Sequence, residues 1–377
     1  VRESLHERSW FLRAAPFLVQ PLEFIIPCSS NPWKWYYRAG MAMYDALAGA
    51  HQPVRSGSLS RDDLLTRAPG CASASLVGGV RYMDAQFDDA RMIIGFLREL
   101  VARGAVVVNY AEAVALVKES GRVRGAEVTD LESGRTFRIR ARTVINAAGV
   151  FTDSVCRLDE PRGADRIAAS QGIHLILDAS FLGGASALMI PSTSDGRVLF
   201  AIPWHGRTLY GTTDTPVSRI ESDPRPLDAE IDYLLEHARR IFVRPPVRTD
   251  IINAFAGLRP LARPRQGANR TAAVSRDFKV DVSSAGLVSV YGGKWTTCRA
   301  MGEAAVACAL EVGDLPRRPS QTRELVFTAG REPESHLAAP SDDWIRHAVE
   351  NEMARTADDL YLRRSRVGLL NPSVLPA

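Results

Sequence analysis

The stretch Leu287-Val288-Ser289-Val290-Tyr291-Gly292-Gly293-Lys294-Trp295-Thr296-Thr297-Cys298-Arg299 sets the tightest limit on how this chain folds. It opens as a short valine-rich strand. Two glycines end the strand, and hydroxyl residues follow where a helix starts. Met301, Ala304, Ala305 and Cys308 then recur at helical spacing, giving that helix one apolar face. A strand–turn–helix of this kind leaves the first N–H groups of the helix open. Gly292 and Gly293 carry no Cβ, so the backbone there approaches a flat or anionic partner closely. The open N–H groups and the positive helix end attract negative charge, and Lys294 adds a full positive charge. An ordinary strand-to-helix connection with a solvent-facing lysine is spelled the same way, so Gly-Gly-Lys alone does not decide between the two.

The rest of the composition narrows the class. A chain of 377 residues buries one or two sizeable cores, and 46% hydrophobic with 24% charged residues is ordinary for a globular protein. No run of about 18 apolar residues occurs, so no transmembrane helix is expected. Val1-Arg2-Glu3-Ser4-Leu5-His6 is charged and reads neither as a signal peptide nor as a natural start. The net charge of +4 is small, and arginines interleave with acids, which points to solvated faces and away from nucleic acid. Cys28, Cys71, Cys156, Cys298 and Cys308 are scattered without C-x-x-C spacing. They argue for a reducing compartment and against zinc, and Cys298 reads as a packing residue.

Taken in order, residues 1–15 read as a helix and Pro21–Pro27 as a short strand between prolines. Trp33–Leu47 is an aromatic-rich helix whose second half covers a core. Ser60-Arg61-Asp62-Asp63 is a helix cap. Gly78–Asp84 reads as a strand. A helix capped by Asp88 or Asp89 follows, with Ile93, Leu97, Leu100 and Val101 on one face. Val106-Val107-Val108 then reads as a buried strand of a parallel sheet, so the order is that of an α/β unit. Residues 113–140 form a three-stranded meander. Thr143–Gly149 is a buried strand ending in small residues, either for tight packing or for close approach by a ligand. Strands follow at Gly172–Leu177, Ala187–Ile190, Arg197–Pro203, Arg207–Thr213, Asp250–Leu258 and Thr271–Val282, with a helix from Asp228. Ser341–Glu352 and Thr356–Val367 read as closing helices. Arg355, Arg363, Arg364 and Arg366 read as a solvated helix face.

Some polar residues stand in apolar surroundings. His174 lies inside Gly172–Leu177 and is either a satisfied sheet residue or a base titrating near neutrality. Arg259, fixed ahead of Pro260, either pairs with a carboxylate or grips a phosphate through its planar fork. Arg276 offers the same alternatives. Gly211-Thr212-Thr213-Asp214-Thr215 is a hydroxyl-rich turn that packing alone also explains. With Lys294 these give three cations and one imidazole, a set suited to binding a small phosphorylated alcohol and removing its hydroxyl proton.

Six short motifs in one order carry a resemblance. They are Ile145-Asn146-Ala147-Ala148-Gly149-Val150-Phe151-Thr152-Asp153, Gly172-Ile173-His174, Ser194-Asp195-Gly196-Arg197, Gly211-Thr212-Thr213-Asp214-Thr215-Pro216, Gly257-Leu258-Arg259-Pro260-Leu261 and Gly292-Gly293-Lys294-Trp295-Thr296-Thr297. The sequence resembles the FAD-dependent glycerol-3-phosphate dehydrogenases over nearly its whole length, and most of all the branch that includes the mitochondrial enzyme. The resemblance implies an α/β (α+β) architecture: an incomplete Rossmann-like FAD-binding domain of the DAO/glycine-oxidase type, a mixed-sheet substrate domain and a short C-terminal helical tail. The expected boundaries are 1–171 with 284–312 for the FAD side, 172–283 for the substrate side and 313–377 for linker and tail.

The implied reaction is oxidation of sn-glycerol 3-phosphate to dihydroxyacetone phosphate, with electrons passed to quinone. Carried over by motif, His174, Arg259 and Lys294 are catalytic. Arg276, Arg259, Lys294 and Thr213 bind substrate. Ala148, Gly149, Gly292, Gly293, Lys294 and Thr296 approach FAD, and no metal is expected. The implied setting is cytoplasmic, with peripheral contact at the inner membrane, and a homodimer is compatible with it.

Departures qualify this. No two glycines are separated by one residue, so the G-x-G-x-x-G fingerprint for the FAD pyrophosphate is absent. Val150 stands where the family usually has proline, and Cys298 where tyrosine is common. The chain is therefore expected to be cut at its N-terminus, with weak or no FAD binding and little activity alone. A non-catalytic remnant or partner subunit, and an oxidase passing electrons to oxygen, are the alternatives.

Overall fold

The computed structural model describes residues 1–51, 54–72, 74–191, 193, 196–263, 277–328, 330, 332–333 and 335–375. Helix α1 (Arg2–Ala14) leads into strand β1 (Val19–Cys28), then helix α2 (Asn31–Ala48), β2 (Gly57–Leu59), α3 (Arg61–Arg67) and β3 (Gly78–Phe87). Next come α4 (Asp89–Ala102), a meander of β4 (Ala111–Glu119), β5 (Arg122–Asp130) and β6 (Thr136–Arg140), then β7 (Val144–Asn146) and α5 (Thr152–Asp159). The second half holds β8 (Ile167–Asp178), β9 (Ala187–Ile190), β10 (Leu199–Trp204), β11 (Arg207–Gly211), β12 (Thr215–Pro216), α6 (Asp228–Ala238) and β13 (Asn253–Ala262). It closes with β14 (Phe278–Val282), β15 (Leu287–Gly292), α7 (Cys298–Val312), α8 (Asp342–Asn351), α9 (Ala357–Tyr361) and α10 (Val367–Leu370).

A nine-stranded mixed sheet runs β12-β8-β11-β10-β9-β1-β3-β2, with β13 paired along β8. It takes strands from 19–87 as well as from 167–262, so the expected division at residue 171 does not coincide with sheet membership. β1 reaches ten residues despite Pro21 and Pro27, because it is paired on both sides only at Phe24 and Ile25. A second sheet, β14-β15-β7, has β15 and β7 parallel, and the meander forms a third.

Alternation along β8 separates core from cleft. Ile173, Leu175 and Leu177 point into the main core with Tyr210, Leu234 and Phe242. The even positions lie on the opposite face, where Ser170, Gly172 and His174 stand across from Arg259, Gly257 and Phe255 of β13.

Several expectations are corrected. Val106–Val108 is not a buried strand; it is irregular, with Val106 91% and Val108 66% exposed, because no neighbouring strand among the described residues pairs with it. The α4 face bearing Ile93, Leu100 and Val101 points outward. The helix instead buries Arg91, Met92, Ile94 and Glu99, since Arg91 clamps Glu352 at 2.7 Å and Glu332 at 3.2 Å. β7 is only three residues long, with Ile145 exposed on its open edge. Of Thr271–Val282 only 277–282 falls among the described residues, and Phe278–Val282 is strand.

The expected helix over Thr356–Val367 breaks at Arg366, whose φ is 64°. The arginine cluster is not uniformly a solvated face. Arg364 is buried against Asp359 at 3.1 Å, and Arg366 reaches Asp88 at 2.9 Å and Asp89 at 2.7 Å. The expected caps form, Ser60 with Asp63 and Asp88 on Ala90 N and Arg91 N, and Thr356 with Asp359 caps α9.

Candidate active-site cleft

The strand pair β8–β13 places His174 and Arg259 on one face, two residue pairs apart on either side of Gly172–Gly257. The Arg259 guanidinium lies over Gly172. A Cβ at that position would collide with Nη2 and with the Thr212 hydroxyl, so only glycine leaves the fork its place. Arg259 donates to Thr212 Oγ1 at 3.1 Å and to Ser170 Oγ at 3.5 Å, and sits 3.6 Å from Asp214. Ser170 donates in turn to Asp214 Oδ1. The cation is thus held by one carboxylate and two hydroxyls, with part of its side chain still open to the outside.

His174 stacks on Phe255, ring centroids 5.6 Å apart. Its side chain is half-buried and lines a cleft. Burial first, and Arg259 second, lower its pKa to about 4, so the imidazole is neutral at physiological pH. Among the described residues neither ring nitrogen has a hydrogen-bond partner, which leaves both to a ligand. His174 opens into a cleft of about 320 Å³ walled by Phe24, Phe87, Ile202, Trp204, Phe255 and Trp295. A second cleft of about 290 Å³ shares Phe24, Ala85, Phe87 and Ile202 and reaches Thr296, with the buried Arg8 at its other side. The far wall carries Arg366 and Asp88. Burial pushes the Asp88 carboxyl up, but His205 and Arg366 outweigh it and hold that group well below the usual carboxylate range.

The turn after β15 faces this cleft through Trp295 and Thr296. It is fixed by contacts that nothing local in the sequence announces. Trp295 packs among Phe11, Phe87 and Phe96 at 5.4–6.3 Å between ring centroids. Arg299, on the first turn of α7, makes a buried ion pair with Glu7 of α1, Nε to Oε2 at 2.8 Å. α1 therefore clamps the start of α7, and no side chain caps that helix. Gly292 and Gly293 have φ of 75° and 78°, a region other residues enter only with strain. Lys294 is exposed and lines neither cleft. Cys298 is a packing residue, its thiol pushed up to about 12 by burial and then by Glu7.

Ala148 and Gly149 form the turn after β7. Asn146 is buried there and accepts from Ala148 N at 3.2 Å, while Thr152 Oγ1 donates to Gly149 O at 2.7 Å. Gly149 has φ 58°, and a Cβ there would meet nothing within 4 Å. Packing therefore does not require glycine at this position; the turn conformation does, and the space beside it is open.

The structure brings His174 and Trp295 into one cleft and Thr296 into the adjoining one, holds Arg259 on the sheet face of His174 without lining either cleft, and places Lys294 at the outside of the turn. Thr213 is spent within the sheet: its buried hydroxyl accepts from Ile173 N at 3.1 Å and donates to Glu230 at 2.9 Å. Its neighbour Thr212 is the residue that meets Arg259. Arg276, with Ser194 and Asp195, lies outside the described residues. Sequence reasoning did not single out Phe255, Thr212, Asp214 or Trp295. Trp295 was within reach, since it sits inside the Gly-Gly-Lys motif.

As a set, an unclaimed neutral imidazole beside a half-open cation, facing aromatic walls and a glycine turn at a helix start, suits a small anionic alcohol next to a flat cofactor. The open space at Gly149, the left-handed glycines and the uncapped α7 fit the ring side of a flavin. The sequence holds no G-x-G-x-x-G for the nucleotide side.

Residues 1–307 match the family described as DAO, FAD dependent oxidoreductase. The chain is 35% identical over 376 residues to the mitochondrial glycerol-3-phosphate dehydrogenase of Homo sapiens, covering 95% of this chain and 50% of that protein. It is 36% identical to glycerol-3-phosphate dehydrogenase 2 of Mycobacterium bovis, covering 99% of this chain and 65% of that one. The chain thus spans about half the length of the mitochondrial relatives it matches. Among solved structures, the Bacillus halodurans glycerol-3-phosphate dehydrogenase complexed with FAD superposes with a TM-score of 0.79 at 25% identity, over 98% of this chain and 77% of that one.

Proposed function

This chain belongs to the FAD-dependent oxidoreductase family, and from that premise we propose that the protein oxidises sn-glycerol 3-phosphate to dihydroxyacetone phosphate. The observation that carries the reading is His174: neutral, unclaimed at both ring nitrogens, beside Arg259 and in one cleft with Trp295. His174 takes the proton of the C2 hydroxyl. Arg259 holds the substrate's negative charge, at the cost of sharing its fork with Asp214. A bound phosphate raises the proton affinity of His174, opposing the effect of Arg259, so the base strengthens when substrate arrives. Trp295, Phe255 and Ile202 keep water from the reacting carbon. When bound, FAD supplies the acceptor for the two electrons and hydrogen released from C2. Ala148, Gly149, Gly292, Gly293 and Thr296 would hold its ring side, and Lys294 would set its positive charge at the rim. Thr213 acts by positioning Ile173 and Glu230. Quinone is the proposed onward acceptor, which places turnover at a membrane surface.

The test is reduction of a soluble dye by glycerol 3-phosphate with FAD supplied, alongside quenching of flavin fluorescence by the 377-residue chain. Substrate-dependent dye reduction that His174→Ala abolishes supports the reading. Flavin binding with no turnover of any phosphorylated alcohol overturns it. Peroxide formed in air in step with substrate would make the protein an oxidase.

A further inference from the structure

The far end of the cleft is built by the C-terminal tail. Along β8 the face that carries His174 continues to Ile176, and there the tail covers it. Leu370 of α10 is buried in one cluster with Ile176 and Trp204. Asn253, paired with Ile176 across the two strands, donates from Nδ2 to Gly368 O at 3.2 Å, and Arg207 Nε donates to Leu370 O at 2.9 Å. Residues 366–370 are thus strapped onto the sheet one strand repeat beyond His174.

Arg366, at the start of this strap, lines the same cleft as His174. Its backbone is left-handed at φ 64°, a conformation a long side chain adopts only under constraint. All three guanidinium nitrogens are engaged. Nε donates to Asp88 at 2.9 Å, Nη2 to Asp89 at 2.7 Å and Nη1 to Leu362 O at 3.1 Å. A fork so fully occupied is a poor anchor for a substrate phosphate. It is a good clamp, and it lies over Trp204, 5.6 Å from the ring centre. Trp204 is 6.5 Å from Phe255, and Phe255 is 5.6 Å from His174, between ring centroids. One chain of packed groups therefore runs from Arg366 through Trp204 and Phe255 to His174.

We propose that Arg366 is a positioning residue for the base: it pins Trp204, and through Phe255 it holds the His174 ring in the cleft. The inference rests on His174 being the base of the function proposed above. A general base is commonly oriented by a carboxylate or carbonyl at its second nitrogen. Among the described residues His174 has no such partner, so the stack on Phe255 takes that place.

The test follows the Hε1–Cε1 signal of His174, one of seven histidines, in the 377-residue chain labelled at histidine, with no flavin or substrate present. The signal is assigned by its loss in His174→Ala. In Arg366→Met we expect it to shift and broaden, with kcat for glycerol 3-phosphate oxidation lowered by up to about 10²-fold and KM nearly unchanged. Arg366→Lys, which can meet only one of the two carboxylates, should give a signal between those of parent and Arg366→Met. An unmoved His174 signal in Arg366→Met overturns the proposal whatever the melting temperature does, because a merely structural arginine lowers melting without touching the base. So does a loss carried by KM with kcat kept, which would make Arg366 a substrate contact. Should Arg366→Met not fold, Asp89→Asn loosens the same clamp from an exposed carboxylate, and an unmoved signal there overturns the proposal equally. A signal that moves as expected, in a chain whose parent does not oxidise glycerol 3-phosphate, would sink the proposed function alone. Turnover by the parent with an unmoved signal in the variants would sink the positioning alone.

Discussion

The two sheets that meet at the cleft treat their polar groups in opposite ways. In the large sheet they answer one another: Glu230 accepts from Thr213, Thr215, Gln171 and the Leu227 N–H, and Arg259 is held by Asp214, Thr212 and Ser170. In the small sheet the strand residues also pair, Asn146 with Ser289 and Tyr291 with Asp281, but the turns beyond them face outward: Lys294 is exposed, α7 lacks a side-chain cap, and the space at Gly149 is open. The large sheet is built to hold a charge and a base at fixed positions. The small one presents backbone to something that comes from outside. Reactivity and cofactor capture are therefore separable, and substitutions can strike one without the other.

The largest blow to the first region is His174→Ala. Loss of a positioned base should lower kcat for glycerol 3-phosphate oxidation by about 10²–10⁴-fold, with flavin binding unchanged. Next comes Arg259→Met, which removes the cation and leaves Asp214 without it. A loss of about 10²-fold in kcat/KM, mainly through KM, is expected from a charge-assisted contact worth up to about 3 kcal/mol. Equal effects of both variants on flavin binding would erase the distinction between the sheets.

Glu230→Ala tests whether the large sheet depends on its own network. It leaves donors of Thr213, Thr215, Gln171 and Leu227 unsatisfied, and should cost about 2–3 kcal/mol in urea unfolding. Burial pushes the Glu230 carboxyl up, but the bonds from Thr215, Gln171, Leu227 and Thr213 prevail and lower it. Its contribution is therefore present above the ordinary value of 4.5 and fades as pH falls below that. His174 adds a window of its own. Its pKa of about 4 lies below the ordinary 6.5, so between these values the unfolded chain takes up a proton that the folded chain refuses. Stability should fall as pH drops from 6.5 toward 4, and His174→Phe should flatten that part of the profile.

The smallest effect on stability belongs to the second region. Gly149→Ala meets no neighbour and should cost about 1–2 kcal/mol through its positive φ alone. If the open space receives the flavin, the same methyl group weakens flavin binding out of proportion to that cost. Unchanged binding would return Gly149 to a purely structural role.

What the sequence disclosed divides by range. The caps at Ser60 and Thr356, α6 from Asp228 and β9 at Ala187–Ile190 were legible because their causes lie within a few residues. The approach of His174 to Arg259 was only a sum of motifs, since it depends on the register of two strands some eighty residues apart. The second half of α2 does cover a core, through Met41 and Tyr44, but the face of α4 was misjudged because apolar periodicity locates a stripe without saying which way it points. Arg91 on Glu352, Arg299 on Glu7 and Arg366 on Asp88 are pairs that turn charged residues inward, and no local pattern announces a partner hundreds of residues away. Val106–Val108 had the spelling of a buried strand, but a strand needs a neighbour.

Position 172 carries a dependency of its own. The guanidinium of Arg259 occupies the volume that any other side chain at 172 would fill. The two positions are thus one unit of inheritance: a missense change at 172 forces the guanidinium and the Thr212 hydroxyl out of this arrangement, although residue 172 contributes no atom to chemistry. A saturation library scored for turnover should find position 172 intolerant even of alanine. A second-site search starting from such a dead variant should recover function by restoring glycine and not by enlarging or recharging residue 259.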